Sequence, residues 1–369
     1  MMNMTSHASI TKHSAMNTGK KMKTAIIAIT KNGINIAEKI RAGVGGDVYV
    51  NSRFLNEANF KNYFPIKTSF KDFVRQIFSS YDGLIFITAA GIATRAIAPV
   101  ICDKRTDPAV VVVDEQGRFS ISLLSGHLGG ANELASKVAQ VLKCMPVITT
   151  ASDIQGFESI DVLAKKLGLY IDNFSDLPKV SACLVNGEKL ALSVEKGFPY
   201  EKLAHLIKRS EVFSHDLPKD AKAAVFVTDE EILPPPVPYV ILRPQNTVLG
   251  IGTRKGAPYE ALLAQVKMAL KDFNLSEKSV GCIASVDIKR EEKCILQLSE
   301  CLNAPLKLYT GVQLAEYENR FPCSPFVKKT VGAGCVARPA AYMASRGGDE
   351  LGYYTSKGIT LAVYKRRTS

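Results

Sequence analysis

Tryptophan is absent from this 369-residue chain, and histidine is scarce at five. Few histidines leave little material for metal sites, since imidazole is the commonest metal ligand. The eight cysteines do not make up the deficit. Cys102, Cys144, Cys183, Cys282, Cys294, Cys301, Cys323 and Cys335 stand singly, with no C-x-x-C pair, so neither a zinc finger nor a dithiol redox motif can be assembled. Such thiols read as reduced, in a cytoplasmic protein. No apolar run nears the roughly 20 residues of a membrane span, so no membrane partner is expected. The P-loop, the H-E-x-x-H helix and the G-x-S-x-G elbow are missing too, which argues against three large enzyme classes. No protein-held metal is expected.

What is present is ordinary globular material with a basic bias. At 46% hydrophobic and 22% charged residues, the chain can bury more than one core. Its formal net charge of +12 attracts polyanions. Nucleic acid, a small polycarboxylate and a merely solvated surface all fit that number. The basic residues are spread rather than massed, and no finger, basic heptad helix or RNA-binding strand signature appears, so no nucleic-acid partner is expected.

Short β-branched runs alternate with helical patterns, predicting an α/β fold: two α/β/α-type domains with mainly parallel sheets, joined by a smaller central segment. Residues 1–21 read as a disordered tail without the apolar stretch of a signal peptide. The N-terminal domain is placed at 22–172, with strands including Leu84–Thr88, Ala109–Val113, Phe119–Leu123 and Val147–Thr150. A central segment follows at 173–246. There Asn186-Gly187, between Ala182–Val185 and Ala191–Val194, predicts a hairpin, and the proline run 234–238 reads as a linker or domain edge. The C-terminal α/β domain is placed at 247–369.

Three strand-to-helix turns are candidate sites. The strongest is Leu124-Ser125-Gly126-His127-Leu128-Gly129-Gly130-Ala131-Asn132. Its glycines predict bare backbone amides at a helix N-terminus, suited to a carboxylate or phosphate, and His127 can move a proton near neutral pH. They equally fit a tight turn that needs no ligand. The second is Thr88-Ala89-Ala90-Gly91-Ile92-Ala93-Thr94-Arg95, where Arg95 could clamp a carboxylate or lie idle at the surface. The third, Gly250-Ile251-Gly252-Thr253-Arg254-Lys255-Gly256, lacks the spacing and the acidic partner of a dinucleotide fingerprint and is not read as one. Thr149, Thr150 and Asp153 close a strand end. Asp103, Lys104, Arg105, Thr106 and Asp107 either line the same cleft or form a solvated loop.

Taken together, Thr88 to Ile92, Asp107 to Asp114, Leu123 to Ala135 with its Ser-Gly-His-x-Gly-Gly-Ala-Asn string, Val147 to Ala151, Gly250-Ile251-Gly252, Ile283 to Lys289 and Val331 to Ala341 resemble the cobalt-precorrin-5A hydrolase (CbiG) family of anaerobic cobalamin biosynthesis. The final third is similar to the free-standing CobE proteins. The chain carries Thr253 where the family often has Cys, and Ala337-Arg338-Pro339 where an acidic residue is common.

The resemblance implies opening of a δ-lactone in cobalt-precorrin-5A and release of acetaldehyde, giving cobalt-precorrin-5B. The cobalt arrives in the substrate, so no cofactor is implied. Neighbouring enzymes of the pathway are the implied partners. His127 is expected to be catalytic. Gly91, Arg95, Ser125, Gly126, Gly129, Gly130, Asn132, Thr149, Thr150, Asp153, Gly252 and Arg254 are expected to bind substrate, the Gly129 and Gly130 amides holding a carboxylate or oxyanion. A cleft between the α/β units is the expected place for so large a substrate. A non-catalytic carrier of a corrin intermediate, and a binder of nucleotides or sugar phosphates, remain alternatives.

Overall fold

The computed structural model describes residues 22–57, 63–150, 158–214 and 216–366. The predicted tail, and Asp153, lie outside them. The chain forms two compact units, the first running to Val162 and the second from Leu163. Both are α/β, with mainly parallel pairing.

In the first unit β1 (Thr24–Ala28), β2 (Asp47–Asn51), β3 (Tyr63–Ile66), β4 (Gly83–Ile87), β5 (Ala109–Val113), β6 (Phe119–Leu124) and β7 (Met145–Val147) make one sheet, in the order β3-β2-β1-β4-β5-β6-β7. Every residue of β1, β4 and β5 is buried. Unbroken apolar runs therefore become central strands, covered on both faces. On one face Ile26, Ile85 and Val111 pack with Ile40 of α1 (Lys31–Val44) and Val138 of α4 (Ala131–Leu142). On the other, Ile27, Phe86 and Val112 pack with Phe73 of α2 (Phe70–Ile77) and Ile97 of α3 (Ala90–Ile97). Each such buried side chain contributes roughly 1.5–3 kcal/mol.

Strands β1 to β5 are mutually parallel, but β6 reverses against β5, and β7 runs parallel to β6. The five residues Asp114–Arg118 are too few for a parallel crossover. Asp114 holds their turn, accepting from the amides of Arg118 and Phe119 at 2.6 and 2.8 Å. The carboxyl end of β6 consequently lies at the amino edge of β5, where Leu124 faces Val110.

In the second unit β8 (Leu169–Asp172), β9 (Leu190–Val194), β10 (Ser210–Val212), β11 (Ala223–Val227) and β12 (Tyr239–Pro244) form a sheet of their own, ordered β10-β9-β11-β12-β8. The central segment thus adds a third sheet, and the proline run is the loop entering β12. The predicted hairpin is overturned. Residues Ala182–Val185 are the last turn of the helix Leu177–Val185, and Asn186-Gly187 ends it. Gly187 has φ +70, and the amides of Gly187 and Glu188 donate back to the carbonyls of Leu184 and Cys183. That is a left-handed helix stop, which draws on the same Asn-Gly preference for positive φ as a tight hairpin.

The last sheet, β15-β14-β13-β17-β16, contains β13 (Thr247–Thr253), β14 (Val280–Val286), β15 (Leu306–Tyr309), β16 (Asp349–Ser356) and β17 (Ile359–Lys365). The helix Ala337–Ala344 buries an alanine-rich face on it. A Cβ on Gly250 would stand 2.0 Å from the Ala337 carbonyl oxygen. The first glycine of the Gly-x-Gly string therefore admits a helix.

Candidate functional site

The turn from β6 into α4 is wound more tightly than its glycines suggested. Ser125 sits at φ +56 and Gly130 at +87. A Cβ at position 129 would lie 2.4 Å from that of Ser125, so Gly129 makes room for the strained serine. The amides of Ala131 and Asn132 donate to the carbonyls of Ser125 and Gly126 (3.1 Å each), and Gly130 donates to His127 (3.0 Å). The loop thus caps its own helix, and the Gly130 amide is spent rather than offered to a ligand. Ser125 Oγ is buried without a hydrogen-bond partner among the described residues.

Around this turn lies a cavity of about 410 Å³ lined by Lys104, Ser122 to Leu128, Asn132, Thr149, Thr150 and Asp161. Asn132, on the first turn of α4, braces it. Its Oδ1 accepts from Ser122 Oγ at 2.6 Å, and its Nδ2 donates to Thr150 Oγ1 at 3.0 Å. The amide of Gly126 has no acceptor among the described residues and borders this space.

His127 is partly open to the cavity, its side chain 19% exposed, and its Nδ1 lies 3.6 Å from Oδ1 of Asp161, which is 10% exposed. Burial alone would raise the Asp161 pKa. The adjoining imidazole, with the charge of Lys104, outweighs that and holds the carboxyl below its ordinary value. The carboxylate stays ionised beside a ring that can carry a proton. Asp161, at the start of the helix Ile160–Leu167, was not anticipated. An acidic residue in a first helical turn reads as a dipole partner, and nothing local ties it to a histidine 34 positions earlier. Lys104 lines the cavity, whereas Asp103 and Arg105 pair with each other and Asp107 accepts from the Cys102 amide.

The structure thus brings together Ser125, Gly126, His127, Asn132, Thr149 and Thr150. Gly91 and Arg95 are elsewhere. Gly91 opens α3 beyond the carboxyl end of β4, beside Val113, and Arg95, in the last turn of that helix, reaches back so that its Nη1 would stand 3.9 Å from a Cβ on Gly91, whereas Leu124 pairs at the amino end of β5. At about 3.3 Å per strand residue the two turns are more than 10 Å apart, on opposite edges of one sheet. Gly252 and Arg254 belong to the second unit. There a Cβ on Gly252 would meet Thr360 Oγ1 at 2.5 Å, and Arg254 donates to the Lys357 carbonyl at 2.8 Å, clasping the turn between β16 and β17.

Fold and site define a mainly parallel α/β protein with an imidazole–carboxylate pair at a strand-to-helix turn. Family models for the N-terminal region, central region and C-terminus of cobalamin synthesis protein G match residues 72–153, 158–244 and 247–364. The chain is 36% identical to the cobalt-precorrin-5A hydrolase of Salmonella typhimurium, across 94% of this chain and 99% of that one. It is 34% identical to that of Priestia megaterium, across 92% and 94%. This chain belongs to the cobalamin biosynthesis G family. Among solved structures it is similar to a putative cobalamin biosynthesis protein G homolog from Sulfolobus solfataricus (23% identity, 94% and 99% coverage, TM-score 0.35). It is also similar to CobE of the same pathway (30% identity, 34% and 92% coverage, TM-score 0.31).

Proposed function

We propose that this chain is a cobalt-precorrin-5A hydrolase, opening the δ-lactone and releasing acetaldehyde to give cobalt-precorrin-5B. The observation that carries the chemistry is the His127–Asp161 pair facing the cavity at the β6 turn. Three relatives bearing the hydrolase name, each matched over most of its length, favour catalysis over a carrier role.

With Nδ1 beside Asp161, proton transfer falls to Nε2 of His127. His127 takes a proton from water as its oxygen adds to the lactone carbonyl, and returns it to the ring oxygen as that C–O bond breaks. The freed hydroxyl then gives up its proton, the C–C bond joining its carbon to the macrocycle breaks, and that carbon leaves with its methyl group as acetaldehyde while the conjugated macrocycle keeps the electron pair and takes up a proton. The Gly126 amide faces the developing oxyanion, and Lys104 pairs with an acid arm. Asn132 is a positioning residue that holds the turn between Ser122 and Thr150. A cavity of about 410 Å³ accommodates the lactone and its pyrrole, with the remaining macrocycle outside. The cobalt is carried by the substrate, and no cofactor takes part. Eight cysteines outside any disulfide accord with a cytoplasmic location, and no helix among the described residues is long and apolar enough to cross a membrane.

The test is turnover of cobalt-precorrin-5A by purified protein, with the aldehyde trapped as a hydrazone. One equivalent of acetaldehyde per corrinoid is expected. Corrinoid binding with no aldehyde would establish a carrier instead.

A further inference from the structure

A second cavity, of about 350 Å³, lies wholly within the second unit, away from the residues given a role above. Lys202, Arg346 and Arg366 line it together with Gln245 and Asn246, and no carboxylate does among the described residues. None of the three cations has a hydrogen bond or ion pair through its side chain among the described residues. Other cations of the same unit do meet carboxylates, among them Lys189, Arg243, Lys289, Arg338 and Lys365. Three unpaired positive charges round one hollow repel one another, an arrangement that an anion relieves.

The walls are built rather than incidental. Asn246 is only 5% exposed, yet its Oδ1 has no partner among the described residues, and Nε of Arg366 is likewise buried and unpartnered among them. Leaving such groups unpaired is unfavourable, and a ligand that pairs them recovers the loss. The backbone places them. The pairing of β13 with β14 slips past Gly281, and a Cβ there would stand 2.0 Å from the Gln245 carbonyl oxygen. Glycine lets the 244–246 turn press against β14, while the amide of Arg366 donates to the Asn246 carbonyl at 2.7 Å. The acceptor and the guanidinium are thereby fixed side by side.

We infer that this hollow is a binding site for a small hydroxylated polycarboxylate, its carboxylates held by Arg346, Arg366 and Lys202 and its hydroxyl donating to Asn246. The volume is at the lower end of small-molecule sites, so a free organic acid or a single pair of acid arms on a larger molecule satisfies it.

Citrate and tricarballylate, which differ by one hydroxyl, are the probes, titrated calorimetrically into the full-length protein. Saturable one-to-one citrate binding is expected, at least tenfold tighter than tricarballylate. The double variant Arg346→Gln/Arg366→Gln should lose at least tenfold in affinity, Asn246→Ala should erase the preference for citrate, and His127→Ala should bind like the parent. Circular dichroism and melting temperature establish that each variant is folded. No saturable binding, or affinity unchanged in a folded double variant, overturns the proposal. Competition separates the two sources: citrate that raises KM for the corrinoid marks the site as a seat for its acid arms, and citrate that binds without changing KM marks it as a seat for a free acid.

Discussion

At the residue scale the site depends on a histidine that the sequence makes visible and an aspartate that it hides. His127 is legible because glycines crowd it and a helix follows. Asp161 is not, because only folding brings the start of a later helix to the β6 turn. The two are linked electrostatically, and the linkage has a direction. The Asp161 carboxyl is held below its ordinary value of 3.8, so it adds stability above that pH and loses it as pH falls through the lowered value. Between pH 5 and 3, the urea midpoint of the parent should therefore fall more steeply than that of Asp161→Asn. Parallel curves would show that the pair carries no such coupling.

At the element scale, local signals gave most strands and helices of the two outer sheets, because buried parallel strands are continuous apolar runs. Other signals were ambiguous or misassigned. Asn186-Gly187 serves a helix stop as well as a hairpin, since both need positive φ. The reversal at β6, over a connection of five residues, sets the His127 turn at the opposite edge of the sheet from the turn that opens α3. Gly250 looked like part of a ligand turn but admits the helix Ala337–Ala344. Gly250→Ala should cost about 3 kcal/mol in urea denaturation through overpacking. Gly187→Ala meets nothing within 4 Å and should cost only about 1–2 kcal/mol for its left-handed backbone. Equal costs would contradict the packing account.

At the scale of the whole molecule, buried charges tie the sheets of the second unit together. Arg243, 1% exposed, meets Asp172 at 2.9 Å and Glu231 at 3.3 Å. Lys365 on β17 meets Asp229 at 2.7 Å and Glu195 at 3.7 Å. Burial, and then the charge of Asp229, push the Glu195 carboxyl up to about 7. A raised carboxyl favours the folded state below its ordinary pKa, and that benefit is lost as pH rises through 7. Glu195→Gln keeps a neutral acceptor for the Asp229 amide. Its melting temperature should rise relative to the parent between pH 5 and 8. A pH-independent difference would show that Glu195 is ionised throughout.

The central claim is that His127 and Asp161 act together on the lactone while Arg95, on the opposite edge of the sheet, does not touch the reacting atoms. Single-turnover acetaldehyde release from cobalt-precorrin-5A, measured across pH for the parent, His127→Ala, Asp161→Asn and Arg95→Ala, tests it directly. The account predicts a loss of at least about 100-fold for His127→Ala, a smaller loss with a displaced pH profile for Asp161→Asn, and a near-parental rate constant for Arg95→Ala. Near-parental release by a folded His127→Ala protein would contradict it.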